Sequence, residues 1–365
     1  MLRNKLICIT ATLSMAMCQP LSASQDPGLT PYEPIIQTLP DHTAGTVSNR
    51  MSLDGKWQAK VLPKGRWHTV NVPGELAMQG ISVEHGQTVT YRRKFTVPAD
   101  FAGKRTIIRF NGAYSYATLR INGRQVRTHR GGFTRWDTDI TPYITPGRIN
   151  TVELDLTDPV EEISYASGYA HHPIAGILRD VVVFSRPEHF FTDLRIDAEL
   201  DSTYRDGTIK ISLDTDFDAT PTADGITAEV KYDGKTVATR RFALRKGKND
   251  LTIPIDNPAK WDAEHPNLYD ITLRMTHDGN ETARVSKQAG FRKIEIDGNR
   301  MLVNGKPVKL RGACRHDIHP TLGRSTDRRT DSIDATLFKE ANMNFVRTSH
   351  YPPSEDFLEF CDRLG

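Results

Sequence analysis

Cysteine is scarce in this chain, with four residues in 365, at positions 8, 18, 314 and 361. Two of these fall in an N-terminal stretch that reads as removable. Cys314 and Cys361 are too few for the disulfide framework of an exported protein, so both are expected as free, buried thiols, one at a strand end and one in a helix. A long apolar run is also missing: only residues 6 to 17 are continuously apolar in character, and a bilayer-spanning helix needs about 20 such residues. Nor is there an excess of one charge. Lys and Arg number 48 against 45 Asp and Glu, a formal net charge of +3. The densest basic stretch, residues 324 to 329, is broken by Asp327 and followed by Asp331, so it reads as a solvated face and nucleic acid is not implied as a partner.

The first residues are of a different kind. Arg3 and Lys5 precede the apolar run, and small residues follow at Leu21-Ser22-Ala23. Positive residues, a short apolar core and a small-residue end are the order of a secretory signal, so residues 1–23 are expected to be removed after export to the periplasm or beyond. Met15 and Met17 are poor residues before a lipidated cysteine, which speaks against an anchor at Cys18. Residues 24–50 then form an N-terminal leader, and no membrane span is expected after it.

Strands come next. From Trp57 to about Pro187 apolar residues recur with a period of two: Ile107 then Arg109, Leu119 and Ile121 around Arg120, and Val152, Leu154 and Leu156 around Glu153 and Asp155. Half-buried antiparallel strands produce this alternation. Asn122-Gly123 is a hairpin signal, because these two residues tolerate the positive φ angles of a type I′ turn. Residues 51–187 are therefore expected to form a jelly-roll β-sandwich. Residues 188–290 continue in the same style, with Ile209, Ile211 and Leu213, then Ile271, Leu273 and Met275, and with turns at Asp206-Gly207, Asp233-Gly234 and Asp278-Gly279. That length and spacing suit an immunoglobulin-like β-sandwich.

The pattern changes after about residue 291. Hairpins at Asp297-Gly298 and Asn304-Gly305 lead into a strand expected over residues 307 to 313. A helix follows over 331 to 343, with Ile333, Leu337 and Ala341 on one stripe. A second strand covers 344 to 348, and a second helix starts at the N-cap Ser354. Strand, helix, strand, helix opens a parallel α/β domain. A (β/α)8 TIM barrel takes about 250 residues, so residues 291–365 are expected to be only the first two βα units of an incomplete one. The fold class is thus mainly β: a jelly-roll β-sandwich, an immunoglobulin-like β-sandwich, and the start of a barrel.

Chemistry gathers at the ends of the last two strands. Arg315-His316-Asp317-Ile318-His319-Pro320 follows the first, and Arg347-Thr348-Ser349-His350-Tyr351-Pro352 ends the second. In such barrels the C-terminal strand ends form the substrate mouth. Imidazole and guanidinium can hydrogen-bond several sugar hydroxyls while aromatic faces pack on the ring. Two readings stand at this point: a shared sugar pocket, or histidines that satisfy local backbone groups.

The run Val303-Asn304-Gly305-Lys306-Pro307, then Arg315-His316-Asp317, then Phe345-Val346-Arg347-Thr348-Ser349-His350-Tyr351-Pro352, then Cys361-Asp362-Arg363-Leu364-Gly365, resembles the barrel entrance of family 2 glycoside hydrolases, the β-galactosidase and β-glucuronidase relatives. Leu53-Asp54-Gly55-Lys56-Trp57, Gly176-Ile177-Leu178-Arg179-Asp180-Val181 and Trp261-Asp262-Ala263-Glu264-His265-Pro266 are similar to the sugar-binding and linking domains of the same family.

The resemblance implies an exo-acting retaining β-glycosidase acting on a glycoside or oligosaccharide, β-galactosidase-like first, with β-glucuronidase or β-mannosidase specificity as alternatives. His316 and His350 would line the terminal-sugar subsite, Arg347 would support the nucleophile region, and Asp317 would hold His316 or a hydroxyl in place. Retaining cleavage needs two carboxyl groups about 5 Å apart. The family's two glutamates lie on later strands, beyond residue 365, so the chain as given is expected to be inactive. Its own adjacent pairs, Glu161-Glu162 and Glu355-Asp356, read as solvated charge. A loop carrying Tyr169 and His171 departs from the family pattern and is expected to lean over the mouth and help select the sugar. No resident metal or organic cofactor is implied, although an assisting cation is left open, as is a homo-oligomer of a longer protein. A non-catalytic carbohydrate-binding protein is the competing class.

Overall fold

In the computed structural model, residues 50–159, 173–187, 189–215, 217–219 and 223–365 are described. The period-two segments pair into two successive sandwiches. In the first, His68–Val72, Gly55–Val61, Thr88–Thr96, Ile149–Thr157, Tyr116–Ile121 and Arg124–Arg130 form a six-stranded sheet in that spatial order. Arg50–Ser52, Val181–Arg186, Arg105–Phe110 and Trp136–Asp139 form a second sheet. Both contribute to one core, with Trp57, Tyr91, Leu119 and Val152 from the first and Ile108, Phe110, Trp136 and Val183 from the second. The Asn122-Gly123 hairpin is present, with φ of 50° and 79°.

Alternation misleads in the strand Arg105–Phe110. Its outward positions Ile107 and Arg109 are buried like their neighbours. The reason is a second apolar cluster of Ile107, Val182 and Phe184 on that face. Arg109 joins it only because Asp137 takes its Nε and Nη2 at 2.7 and 2.8 Å, in keeping with the need to pair a buried charge.

The second sandwich stacks Phe191–Leu200, Gly207–Thr215 and Gly247–Ile255 on the sheet Lys235–Ala243, Gly225–Tyr232, Tyr269–His277 and Asn280–Ala289. Ile209, Ile211 and Ile253 meet Ile226, Ile271 and Leu273 in its core. Two of the three predicted turns occur, at Asp233-Gly234 and Asp278-Gly279. Gly207 instead begins a strand, and the reversal lies just before it, closed by Asp201 N–H on the Asp206 carbonyl. Glycine is required there because a Cβ would stand 2.5 Å from the Phe291 ring.

The last segment opens with the hairpins Ile294–Asp297, Arg300–Val303 and Lys306–Pro307. The strand expected from Pro307 starts later, because Pro307 pairs with Leu302 instead. The true strand β1, Gly312–Arg315, runs parallel to β2, Phe345–Thr348, with Arg315 beside Thr348. Between them helix α1, Arg328–Glu340, is capped by Asp327, whose side chain accepts from Thr330 N–H. Ile333 and Leu337 are 49% and 56% exposed, while Asp331 and Ala335 are buried. Helix α2, Glu355–Leu364, begins at Ser354, whose hydroxyl accepts from Phe357 N–H.

Cys314 and Cys361 are both free, but neither is buried as expected: Cys314 is exposed and Cys361 half-buried. Side chains alternate along a strand. Arg315 points into the helix layer, over the Phe357 ring at 4.0 Å, which sends Cys314 to the opposite face with its register partner Arg347. These are the first two βα units of a TIM barrel behind two β-sandwiches. No helix among the described residues is long and apolar enough to cross a membrane.

Candidate sugar-binding site

The parallel pairing of β1 and β2 decides which histidines meet. His316 and His350 leave adjacent strand ends, and their ring centroids lie 6.1 Å apart at an interplanar angle of 81°. Tyr351, one residue further on, supports the first ring. Its hydroxyl accepts from Asp317 N–H at 2.8 Å, which leaves its own proton free to face His316 Nδ1 at 3.4 Å. Tyr351 is fixed in turn by stacking on Phe133 of the first sandwich, at 3.9 Å and 15°.

Electrostatics set the state of that imidazole. Burial first, then the Arg324 guanidinium and His350, hold His316 below the usual histidine pKa, against the opposing pull of Asp317. A neutral imidazole offers one acceptor and one donor.

Asp317 is held by two arginines. Arg179 Nη2 approaches one carboxylate oxygen at 2.8 Å and Arg315 Nη1 the other at 2.5 Å. The residue is 3% exposed, which sets it away from a hydroxyl and, of the two roles expected of it, fits holding His316 in place. Two guanidinium groups outcompete a hydroxyl for a buried carboxylate. Asp317 instead locks the strand end that presents His316. Arg179 also donates to the Phe133 and Pro352 carbonyls at 2.9 and 2.8 Å, so one side chain ties the first sandwich to the ends of both barrel strands. Arg315 completes the lock with Asp331 and Asp334 at 2.6 and 2.8 Å.

Two more contacts clamp the loop after β1. Glu75 accepts from Arg324 N–H at 2.6 Å, and Ser325 donates to the Leu178 carbonyl at 2.7 Å. Arg324 itself is 6% exposed, lies over the Phe133 and Tyr351 rings at 5.5 and 5.0 Å, and has a buried Nε with no hydrogen-bond partner among the described residues. Neither Arg179 nor Arg324 stood out as a site residue in the sequence. For Arg179 the signal was present: an arginine set between Leu178 and a strand of three valines needs a buried partner.

Of the predicted site residues, His316 and His350 are brought together, and Arg347 is exposed on the inward face of β2. Tyr169, His171 and the pair Glu161-Glu162 lie outside the described residues. Glu355 and Asp356 pair with Arg135 and Arg328 respectively. Among the described residues the histidines of this site belong to no metal-ligating group.

Comparison with known proteins matches this arrangement piece by piece. Residues 41–187 match the family model described as glycosyl hydrolases family 2, sugar binding domain; residues 189–292 match that of glycosyl hydrolases family 2; and residues 294–365 match its TIM barrel domain. A β-galactosidase of Aeromonas hydrophila is 32% identical over 93% of this chain and 34% of its own length. One of Priestia megaterium is 29% identical over 92% of this chain and 37% of its own. The chain thus spans about a third of the length of these curated relatives. Among solved structures, a Ruminococcus gnavus β-glucuronidase shares the fold with a TM-score of 0.78 at 23% identity, covering 88% of this chain and 59% of that one. A Bacteroides uniformis β-glucuronidase does so with a TM-score of 0.75 at 26% identity, over 87% of this chain and 41% of that one. Three consecutive domain models of one family cover the chain from residue 41 to its last residue, in the order in which its two sandwiches and barrel strands follow one another: the chain belongs to glycoside hydrolase family 2.

Proposed function

We propose that this chain is the N-terminal portion of an exported, exo-acting, retaining β-glycosidase that hydrolyses terminal β-linked sugars, β-galactosides first. The observation that carries this reading is the meeting of His316 and His350 at adjacent barrel-strand ends, 6.1 Å apart, with the first held neutral and braced by Tyr351. Such a wall can hydrogen-bond the hydroxyls of one terminal sugar. The relatives named β-galactosidases favour galactose. In retaining cleavage one carboxylic acid protonates the leaving oxygen and a second carboxylate attacks the anomeric carbon. We place both, as glutamates, on strands following residue 365, so this chain supplies binding and orientation. That chemistry calls on no organic cofactor. The loop with Tyr169 and His171 is proposed to help select the sugar.

A specific observation favours β-glucuronides as the second reading. Arg347, exposed on the inward face of β2 three residues before His350, is a cation that a uronate carboxylate would meet.

Aryl β-galactoside, β-glucuronide and β-mannoside should be assayed with the chain as given and with a longer protein that continues through the barrel. The expected result is no turnover by the chain as given, and highest kcat/KM on the galactoside for the longer protein. His316→Ala or His350→Ala should lower that value roughly 100-fold, the effect of about 2.7 kcal/mol of lost transition-state binding. Turnover by the chain as given, or unchanged kcat/KM in both variants, would overturn the reading. Sugar binding by the longer protein without any cleavage would favour a carbohydrate-binding protein.

A further inference from the structure

The second sandwich carries a side-chain group that sugar binding does not use. Asp224 immediately precedes the strand Gly225–Tyr232, and His277 ends the strand Tyr269–His277. The antiparallel register that sets Gly225 against Thr276 puts the two directly opposite each other, with His277 Nδ1 2.6 Å from Asp224 Oδ1. His189 comes from the other sheet, two residues ahead of the strand Phe191–Leu200. Its ring is stacked on Phe217 at 4.9 Å and 14°, and meets the His277 ring edge-on at 4.7 Å. One ligand atom from each of His189, Asp224 and His277 lies within 4.8 Å of the other two.

A histidine–aspartate pair would by itself account for the burial of Asp224, which is 2% exposed. It does not account for a second imidazole, brought from the facing sheet and held in place by an aromatic ring. Two imidazoles and one carboxylate form a ligand set for a borderline divalent ion such as zinc, with water in the fourth tetrahedral position. An outer partner is also present. With Nδ1 as the ligand atom, His277 Nε2 is left to face Asp278 Oδ2 at 3.5 Å, and a carboxylate on the second nitrogen fixes the ring and raises its basicity.

We propose that His189, Asp224 and His277 bind one zinc-type divalent ion that pins the two sheets of the second sandwich together at this end. Zinc bonds of about 2.0–2.2 Å put tetrahedral ligand atoms roughly 3.3 Å apart. On binding, the proton shared by His277 and Asp224 is released to solvent, their 2.6 Å contact opens by about 0.7 Å, and ligand atoms as much as 4.8 Å apart close by up to about 1.5 Å. The role is that of a staple, in a part of the chain that contains no cysteine.

The full chain, stripped with EDTA, should be titrated with Zn2+ by calorimetry, with metal content and Tm followed in parallel. The expected result is one ion per chain and a Tm raised by several degrees at roughly 100-fold excess over Kd, with Mg2+ and Ca2+ ineffective because they prefer all-oxygen shells. His189→Gln and His277→Gln should each weaken binding about tenfold or more, while His316→Gln and His350→Gln leave it unchanged. Urea midpoints of the metal-free variants separate lost binding from lost folding, and Co2+ loading of the wild type should show a tetrahedral visible spectrum. Absence of saturable 1:1 uptake would overturn the proposal. So would uptake that survives both His189→Gln and His277→Gln, or that is lost with His316→Gln.

Discussion

Arg179 and Asp317 meet at 2.8 Å although 138 residues separate them in sequence. Their side chains are 8% and 4% exposed. The pair joins the first sandwich to the strand end that presents His316. Burying two charges is costly, but once they are buried, removing one partner strands the other, at about 3–5 kcal/mol. Here Arg315 still meets Asp317 and two carbonyls still meet Arg179, so Arg179→Met or Asp317→Asn should lower unfolding stability by only part of that, about 1–3 kcal/mol, read from urea denaturation with unchanged slope. A loss under about 1 kcal/mol would mean that other contacts hold the barrel segment in place, since exposed pairs contribute no more than that.

The state of His316 gives a second test. Burial and the Arg324 charge both depress its pKa. In the folded chain, with histidines labelled for NMR, its ring should titrate below the ordinary value of about 6.5. Arg324→Met removes one of the three depressing influences and leaves His350 and most of the burial. The midpoint should therefore move up, toward the ordinary value. No upward movement would show that Arg324 does not act on this ring.

Local signals in the sequence were read well, and contacts between distant segments were not. Asn122-Gly123 and Asn304-Gly305 adopt positive φ as their residue types demand, and Ser354 caps α2 through its own hydroxyl. The meeting of His316 with His350 was legible because adjacent parallel strands end at the same level. The burial of Asp317 is not legible in the sequence, because its environment is made by Arg179, from another domain. Helical periodicity likewise marks the apolar stripe of Ile333 and Leu337 but gives no sign of the contact that Asp331, on the buried side of α1, makes with Arg315. The burial of Ile107 and Arg109 depends on Val182 and Phe184, which periodicity within one strand cannot report.

His129 predicts how the first sandwich responds to acid. Burial first, then the charge of Arg127, lowers its pKa to about 4, opposed by its hydrogen bond to the Gly131 carbonyl. Its ring also stacks on Trp136 at 5.0 Å. Because the folded value lies below the unfolded one, the stabilising contribution is present above about pH 6.5 and is lost as pH falls toward 4. His129→Gln cannot titrate. The Tm of the wild type should therefore fall more between pH 7 and pH 4.5 than that of the variant, and equal falls would show that other groups govern acid stability.

Gly323 tests whether the loop behind His316 is as tightly seated as its contacts imply. Its φ is +67°, and a Cβ there would lie 2.1 Å from Glu75 Oε2. The loop is closed on itself by reciprocal hydrogen bonds between His319 and Gly323, so displacement at Gly323 reaches the segment that begins at His316. Gly323→Ala should cost about 1–2 kcal/mol for the left-handed backbone alone. A further loss comes from moving Glu75 off the Arg324 amide, where a buried donor left unpaired costs about 1–3 kcal/mol. A double-mutant cycle separates the two contributions. In a Glu75→Ala background the Glu75 clash is gone and only the flexible Met78 side chain, at 2.7 Å, has to shift, so adding Gly323→Ala should cost little beyond the backbone part. If the glycine substitution costs the same in both backgrounds, the close approach of Gly323 to Glu75 is not what requires glycine at this position.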